Sequence, residues 1–201
     1  YFSISKFLVY FSILKIPIYF KSLKDEKIVN LIFNADIIIN LKTLWDENKS
    51  TFKKGILDFN VDLVENIKKI QKNIQFIYFS GIGIDQKSDS KRSKAIFESE
   101  QYIQRNLNHS IIIRPGIIIG GGDRFLKSLL SVFKMSFFIP LFGTGLSKFQ
   151  PVFIDDISLA VSKILEKRLS HNHIFEFVGK EIFTYRELYQ YLANCIKKKT
   201  C

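Results

Sequence analysis

Short, wholly apolar runs separated by amphipathic stretches constrain this chain more than any other feature. "ADIIINL" (35–41), "IQFIYFS" (74–80) and "SIIIRP" (110–115) have the length of strands and little polar alternation. Runs of that kind belong to strands buried on both faces, the condition of a parallel sheet covered by helices. The first is expected to be a central strand. Helical patterns fill the intervals: one from about Phe52 to Gln71, with Ile56, Phe59, Leu63, Ile67 and Ile70 on one face, and one from about Ser90 to Asn106. The repeated strand–helix order predicts an α/β protein with a doubly wound parallel sheet and helices on both faces.

The flanking segments extend the pattern. Ile16 to Phe20 reads as a strand, and "KDEKIVNLIFN" as a short helix with Asp25 near its start. A helix is expected from Asp123 to about Lys134, then a strand in "KFQPVFI" and a helix beginning near Asp155 or Asp156, acids that suit a helix N-terminus. "HIFEFVG" reads as a strand. In "TYRELYQYLANCI", Thr184 followed three residues later by Glu187 is a capping box. No internal repeat and no long linker interrupt the chain, so a single domain is expected over residues 1–201, with about 135–201 as a smaller C-terminal α/β portion on the substrate or partner side. With 201 residues and 47% apolar composition, the chain can bury a core.

Charge and composition exclude several functions. The net charge is +11, but the lysines are dispersed, and only Lys197 to Lys199 form a run. Nucleic-acid binding needs basic groups clustered on one face and is not expected. Weak attraction to an anionic membrane or an acidic partner surface is compatible with this balance. Cys195 and Cys201 lack metal-type or redox-type spacing, so a reducing, cytoplasmic compartment is expected. His171 and His173 flank Asn172 in a polar turn, and no metal site is expected. Phe7 to Leu14 is apolar but bracketed by Lys6 and Lys15, and falls well short of the roughly 20 residues that span a bilayer.

Open parallel sheets bind ligands beyond the C-terminal ends of their strands. Here those ends are Asn40–Leu41, Ser80–Gly81 and Pro115–Gly116. Gly120 to Gly122 form a Gly-rich run between a strand and a helix, but "GIIIGGGD" has neither dinucleotide-binding spacing nor a Walker lysine. Asp123 at the following helix start would also repel phosphate.

"FSGIGID", "KRSKAIFESE", "IIIRPGIIIGGGDRF" and "PLFGTGLSKFQPVFIDDIS" occur in that order, followed by "FEFVGKEIFTYRELYQYLA". In motif and order they resemble the extended short-chain dehydrogenase/reductase family. More narrowly, they are similar to the NAD(P)H-binding accessory subunit of respiratory complex I and its alphaproteobacterial relatives. The resemblance runs from about Lys21 to Ala193 and implies a Rossmann-like fold. It also implies that Ser80 would orient a substrate oxygen and that Lys94 would hold ribose hydroxyls. Pro115, Gly116 and Ile117 would line the nicotinamide end of the cofactor.

The same resemblance exposes a substitution. Lys94 ends a Tyr-x-x-x-Lys pair, but Ser90 stands in the tyrosine's place. An ammonium beside a phenol brings the phenol's pKa down from about 10 toward neutrality, and a serine offers no comparable acid. Tyr102 lies two helical turns further on, out of phase to replace it. Ser80 and Lys94 are therefore read as vestigial catalytic residues, and Asn40, Leu41, Ser80, Gly81, Lys94, Pro115, Gly116 and Ile117 as a cofactor-binding set.

The family's glycine-rich first strand–turn–helix, which seats the pyrophosphate, has no counterpart, so the chain is expected to be N-terminally truncated. NAD(P)H is the expected cofactor: NADPH in a complete chain, with binding doubtful in this one. The expected function is that of a non-catalytic accessory or assembly protein. It would partner complex I subunits or another protein, and sit in the cytoplasm or peripherally on the cytoplasmic face of the inner membrane. A catalytic epimerase, dehydratase or reductase acting on a nucleotide sugar is the alternative; a module that has kept only the fold is the third reading.

Overall fold

The structure, a computed structural model, describes residues 23, 26–70, 72–135, 144–167 and 169–197. The chain divides into two compact units, 1–114 with 167–175, and 115–166 with 176–201. The strand expected at Ile16–Phe20, the apolar stretch Phe7–Leu14, Asp25, Lys198, Lys199 and Cys201 lie outside the described residues.

In the first unit, α1 (Glu26–Asn34) leads to β1 (Ile37–Asn40). A π-helical segment, Lys53–Asp58, runs directly into α2 (Phe59–Lys69). Then follow β2 (Gln75–Phe79), α3 (Lys91–Asn106) and β3 (Ser110–Pro115). β1 and β2 pair in parallel, Asn40 opposite Tyr78, and β2 and β3 in parallel, Phe79 opposite Ile113. β7 (His173–Phe177) completes a four-stranded sheet in the order β1-β2-β3-β7.

The helical pattern was legible because it packs one face of this sheet. Ile56, Phe59, Leu63 and Ile67 of the predicted stripe share a core with Phe76 and Tyr78 of β2, Ala95, Ile96 and Ile103 of α3, and Ile28 and Ile32 of α1. Ile77 and Ile111 to Ile113 are fully buried as well, so β2 and β3 are covered on both faces, as their unbroken apolar runs require. Among the described residues β1 pairs only with β2, and Ile37 is 39% exposed.

The second unit holds β4 (Ile118–Ile119), α4 (Arg124–Met135), β5 (Lys148–Phe149), β6 (Val152–Phe153), α5 (Ile154–Lys167), β8 (Phe183–Thr184) and α6 (Tyr185–Lys197). "KFQPVFI" is not one strand but two. β5 pairs antiparallel with β8, while β6 pairs parallel with β4. Pro151 falls at the break; lacking an N–H, it cannot continue a ladder, and the chain changes partners there. Leu129, Leu188, Tyr189 and Leu192 form the core beneath, with Phe125, Phe149 and Tyr185 packed against it. The capping box forms as read: Glu187 accepts from the Thr184 backbone N–H at 2.7 Å, and Thr184 Oγ1 accepts from the Glu187 N–H at 3.2 Å. The Thr184 N–H foremost, and then the Thr184 hydroxyl donating to Oε2 at 2.9 Å, hold the Glu187 carboxyl below its usual range. No described helix is long and apolar enough to cross a membrane.

Candidate functional site: the strand tips and the start of helix α3

Parallel pairing carries β1, β2 and β3 to a common edge. The Ser80 N–H donates to the Ile113 carbonyl at 2.8 Å, which aligns the end of β2 with β3. Ser80 Oγ is shielded from solvent and has no hydrogen-bond partner among the described residues. A buried hydroxyl without a partner is costly, and its place at a strand tip makes Ser80 a candidate for ligand contact. Gly83, just beyond, has φ +73°, which carries the chain away in a turn.

Asn40 is placed differently from a ligand-facing side chain. It is 2% exposed; its Nδ2 donates to Asn60 Oδ1 at 2.7 Å, and its Oδ1 accepts from the Lys42 N–H at 2.9 Å. Asn60 in turn donates to the Ile56 carbonyl at 2.9 Å. The side chain thus ties β1 to α2 and shapes the turn after it, leaving exposed Leu41 and the backbone to face the edge.

Ser90 is the N-cap of α3: extended at φ −70° and ψ 119°, it accepts from the Ser93 N–H at 3.3 Å. The hydroxyl in the tyrosine's place therefore satisfies a helix end. One turn on, Lys94 is exposed. Tyr102 does not stand in for the missing phenol, since it donates to Glu65 Oε1 at 2.8 Å, and that bond holds its hydroxyl above the usual tyrosine range.

The remaining predicted residues open the second unit. Pro115 ends β3, the Gly116 N–H donates to the Phe177 carbonyl at 2.8 Å, and the Ile117 carbonyl accepts from the Val152 N–H at 2.9 Å. A Cβ on Gly116 would collide with the Gln150 carbonyl oxygen, so this glycine answers a close backbone approach within its own unit. Asp123 caps α4, its Oδ1 accepting from the Leu126 N–H at 2.7 Å. Asn172 pins the polar turn, accepting from Ser110 N–H and Oγ, both at 2.9 Å, and donating to the Gln104 carbonyl at 2.8 Å. Among the described residues, no group of three or more His, Cys, Asp or Glu could hold a metal ion.

Sequence reasoning missed two arrangements. Arg92 binds three consecutive residues of the loop after β1: its Nε donates to the Leu44 carbonyl at 2.7 Å, its Nη2 to Thr43 Oγ1 at 3.1 Å, and its guanidinium lies 4.3 Å from the Trp45 ring centroid. Beneath the tips, Arg114 pairs with Glu100 through two hydrogen bonds, of 3.0 and 2.6 Å. Tyr78 is buried beside this pair; desolvation first, then the Glu100 charge, pushes its hydroxyl well above the ordinary range. The lone arginine in "SIIIRP" was the available signal, since a cation in an apolar strand needs a partner.

The architecture is that of a Rossmann-like α/β domain, and its structural neighbours include epimerases and dehydratases solved with NAD. A UDP-glucuronic acid 4-epimerase from Bacillus cereus, in complex with UDP-glucuronic acid and NAD, superposes with a TM-score of 0.73 at 16% identity, over 87% of this chain and 63% of that one. A human epimerase family protein with NADPH gives 0.59 at 19% identity, over 78% and 61%. No protein-family model matches the chain.

Its sequence relatives are more particular: they are subunits of respiratory complex I. The chain is 27% identical over 179 residues to NADH dehydrogenase [ubiquinone] 1 alpha subcomplex subunit 9, mitochondrial, of Arabidopsis thaliana, covering 87% of this chain and 44% of that protein. The same subunit of Dictyostelium discoideum is 29% identical over 165 residues, covering 81% and 45%. The 40 kDa subunit of NADH-ubiquinone oxidoreductase of Neurospora crassa is 23% identical over 176 residues, covering 87% and 45%. The chain thus spans less than half the length of these curated relatives.

Proposed function

We propose that this chain is a nucleotide-binding accessory or assembly component of an NADH:ubiquinone oxidoreductase-type complex, holding NADPH or NADH without turning it over. The observation that carries this reading is Ser90. It stands where an extended reductase places its proton donor, and its hydroxyl is engaged as the cap of α3. The named relatives, all subunits of that respiratory complex, supply the context.

The residues at the first unit's edge fit a ribose–nicotinamide group. Ser80 Oγ is a shielded hydroxyl that lacks a partner among the described residues, and Lys94 is an exposed cation one turn into α3. In this role Ser80 hydrogen-bonds the ligand and Lys94 holds ribose hydroxyls. Gly81 and Leu41 offer backbone at the same edge. A reduced nicotinamide supplies hydride when bound. Among the described residues, Ser90 is engaged as a helix cap and Tyr102 is tied to Glu65, so neither serves as the acid beside it. The site would orient and retain the dinucleotide, serving as a folded platform for partner subunits. The setting is a membrane-associated respiratory complex, with attachment on the cytoplasmic face of the membrane.

Calorimetric titration of the chain with NADPH and NADH, with turnover assays on nucleotide sugars run alongside, tests the reading. Saturable binding without turnover is expected, weakened by Lys94→Ala. Turnover abolished by Lys94→Ala would replace the reading with a catalytic epimerase or reductase. No binding of either cofactor would leave a module that has kept only the fold.

A further inference from the structure

We propose that Lys42, on a loop fixed in place by Arg92, is an anion-binding group at the tip of β1 that takes a phosphate or pyrophosphate moiety. The loop is built for presentation. Leu44 is held from two sides: its carbonyl accepts from Arg92 Nε at 2.7 Å, and its side chain fills a notch that exists because residue 55 is glycine. Thr43 is fixed by the same guanidinium at 3.1 Å, and Trp45 lies over it at 4.3 Å. Asn40 Oδ1 fixes the Lys42 N–H at 2.9 Å. A loop with this many restraints presents its side chains in one arrangement before any ligand arrives.

The charges it presents lack anions. Lys42 Nζ sits 3.6 Å from the Phe59 ring centroid and makes no hydrogen bond or ion pair among the described residues. Burial pushes its ammonium down to about 8, the response of a cation that has lost water without gaining a carboxylate. The Phe59 ring face compensates only in part. Arg92 is also half-buried, and it binds a carbonyl, a hydroxyl and an indole, none of them anionic. The loop's own acids are turned elsewhere: Asp46 accepts from the Asn48 N–H at 3.1 Å, and Glu47 from the Phe52 N–H at 2.8 Å. Lys42 follows the tip of β1 beside Phe59 of α2, where an incoming phosphate would gain a partly desolvated cation.

This inference rests on the loop geometry and holds whether or not a dinucleotide is the natural ligand. Trp45 is the chain's single tryptophan, 76% exposed and stacked on Arg92, so its emission reports on this site. The experiment titrates the full chain with inorganic pyrophosphate and, separately, with NADPH, following Trp45 fluorescence. Lys42→Gln and Lys42→Met are the variants, the second keeping the packing on Phe59, with Lys69→Gln, at the opposite end of α2 from Phe59, as the control. Saturable quenching by pyrophosphate is expected, about tenfold or more weaker in both Lys42 variants and unchanged in the control, as for loss of one charge-assisted hydrogen bond. Absence of a saturable response, or wild-type affinity in Lys42→Met, overturns the inference. Lys42-dependent binding of pyrophosphate with no binding of NADPH would retain this site and reject the accessory-cofactor reading. NADPH binding with no pyrophosphate response would do the reverse.

Discussion

Glu100 and Arg114 meet in a bidentate ion pair, with hydrogen bonds of 2.6 and 3.0 Å, in which the Glu100 side chain is fully buried and that of Arg114 is 17% exposed. The pair joins the middle of α3 to the end of β3, the last position before the chain enters the second unit. A carboxylate taken out of water needs such a partner, and removing that partner leaves a buried charge uncompensated.

The pair therefore predicts an asymmetric mutational pattern. Arg114→Met should destabilise the fold by about 3–5 kcal/mol, because it leaves the fully buried Glu100 carboxylate without this partner, and Glu100→Ala should also be destabilising. Replacing both with Met should cost less than either single change, since an apolar pair of similar volume needs no compensation. Denaturant unfolding of the three variants checks this, and additive losses would mean that the pair is not coupled.

Ser90 gives a smaller, separable effect. Ser90→Ala removes the α3 cap and should lower stability by about 1 kcal/mol, while Ser90→Asp should retain it. Because the hydroxyl is read as a cap, cofactor affinity should be the same in Ser90→Ala and wild type when measured well below the unfolding transition. A large loss of NADPH affinity in a folded Ser90→Ala variant would give the hydroxyl a ligand-facing role.

The elements with the plainest sequence signals are those covered most completely. β2, β3 and α3 were readable because Phe76, Ile77 and Ile111 to Ile113 are buried and the helix stripe answers them. The capping box at Thr184 was readable because its chemistry is local. Longer-range features left weaker traces. The break at Gln150–Pro151 depends on two different strands arriving as partners, β4 and β8, and both are only two residues long. The Arg92 clamp spans more than forty positions in sequence, from Arg92 to Leu44 and Thr43. Within the candidate site, the motif singles out Ser80 and Lys94 as candidates. That Asn40 turns inward was not legible, because nothing local marks Asn60 as its partner.

Lys42 supplies a pH signature. Its ammonium titrates at about 8 in the folded chain, against 10.5 in the unfolded one, because burial disfavours the charged form. Between those values the unfolded chain binds more protons, so stability rises with pH across that window. Below about pH 8 the burial penalty is present in full, and above 10.5 it is gone. In phosphate-free buffer, Lys42→Met should be more stable than wild type at pH 7, and the difference should shrink as pH rises from 8 to 10.5. A difference independent of pH would show that Lys42 is not desolvated in the fold.

Gly116 separates packing from ligand contact in the second unit. A methyl group there would meet the Gln150 carbonyl oxygen, part of the backbone between β5 and β6, and no side-chain rotation relieves that collision. Gly116→Ala should cost about 1–3 kcal/mol, the range for overpacking a close contact. Its strain should fall on the β4–β6 pairing, where the Ile117 carbonyl accepts from the Val152 N–H at 2.9 Å. Hydrogen exchange is the discriminating measurement: faster exchange at Val152, with the α3 amides of the first unit unchanged, is expected. If NADPH affinity falls while the Val152 amide keeps its protection, the glycine's small size serves the ligand rather than the Gln150 carbonyl.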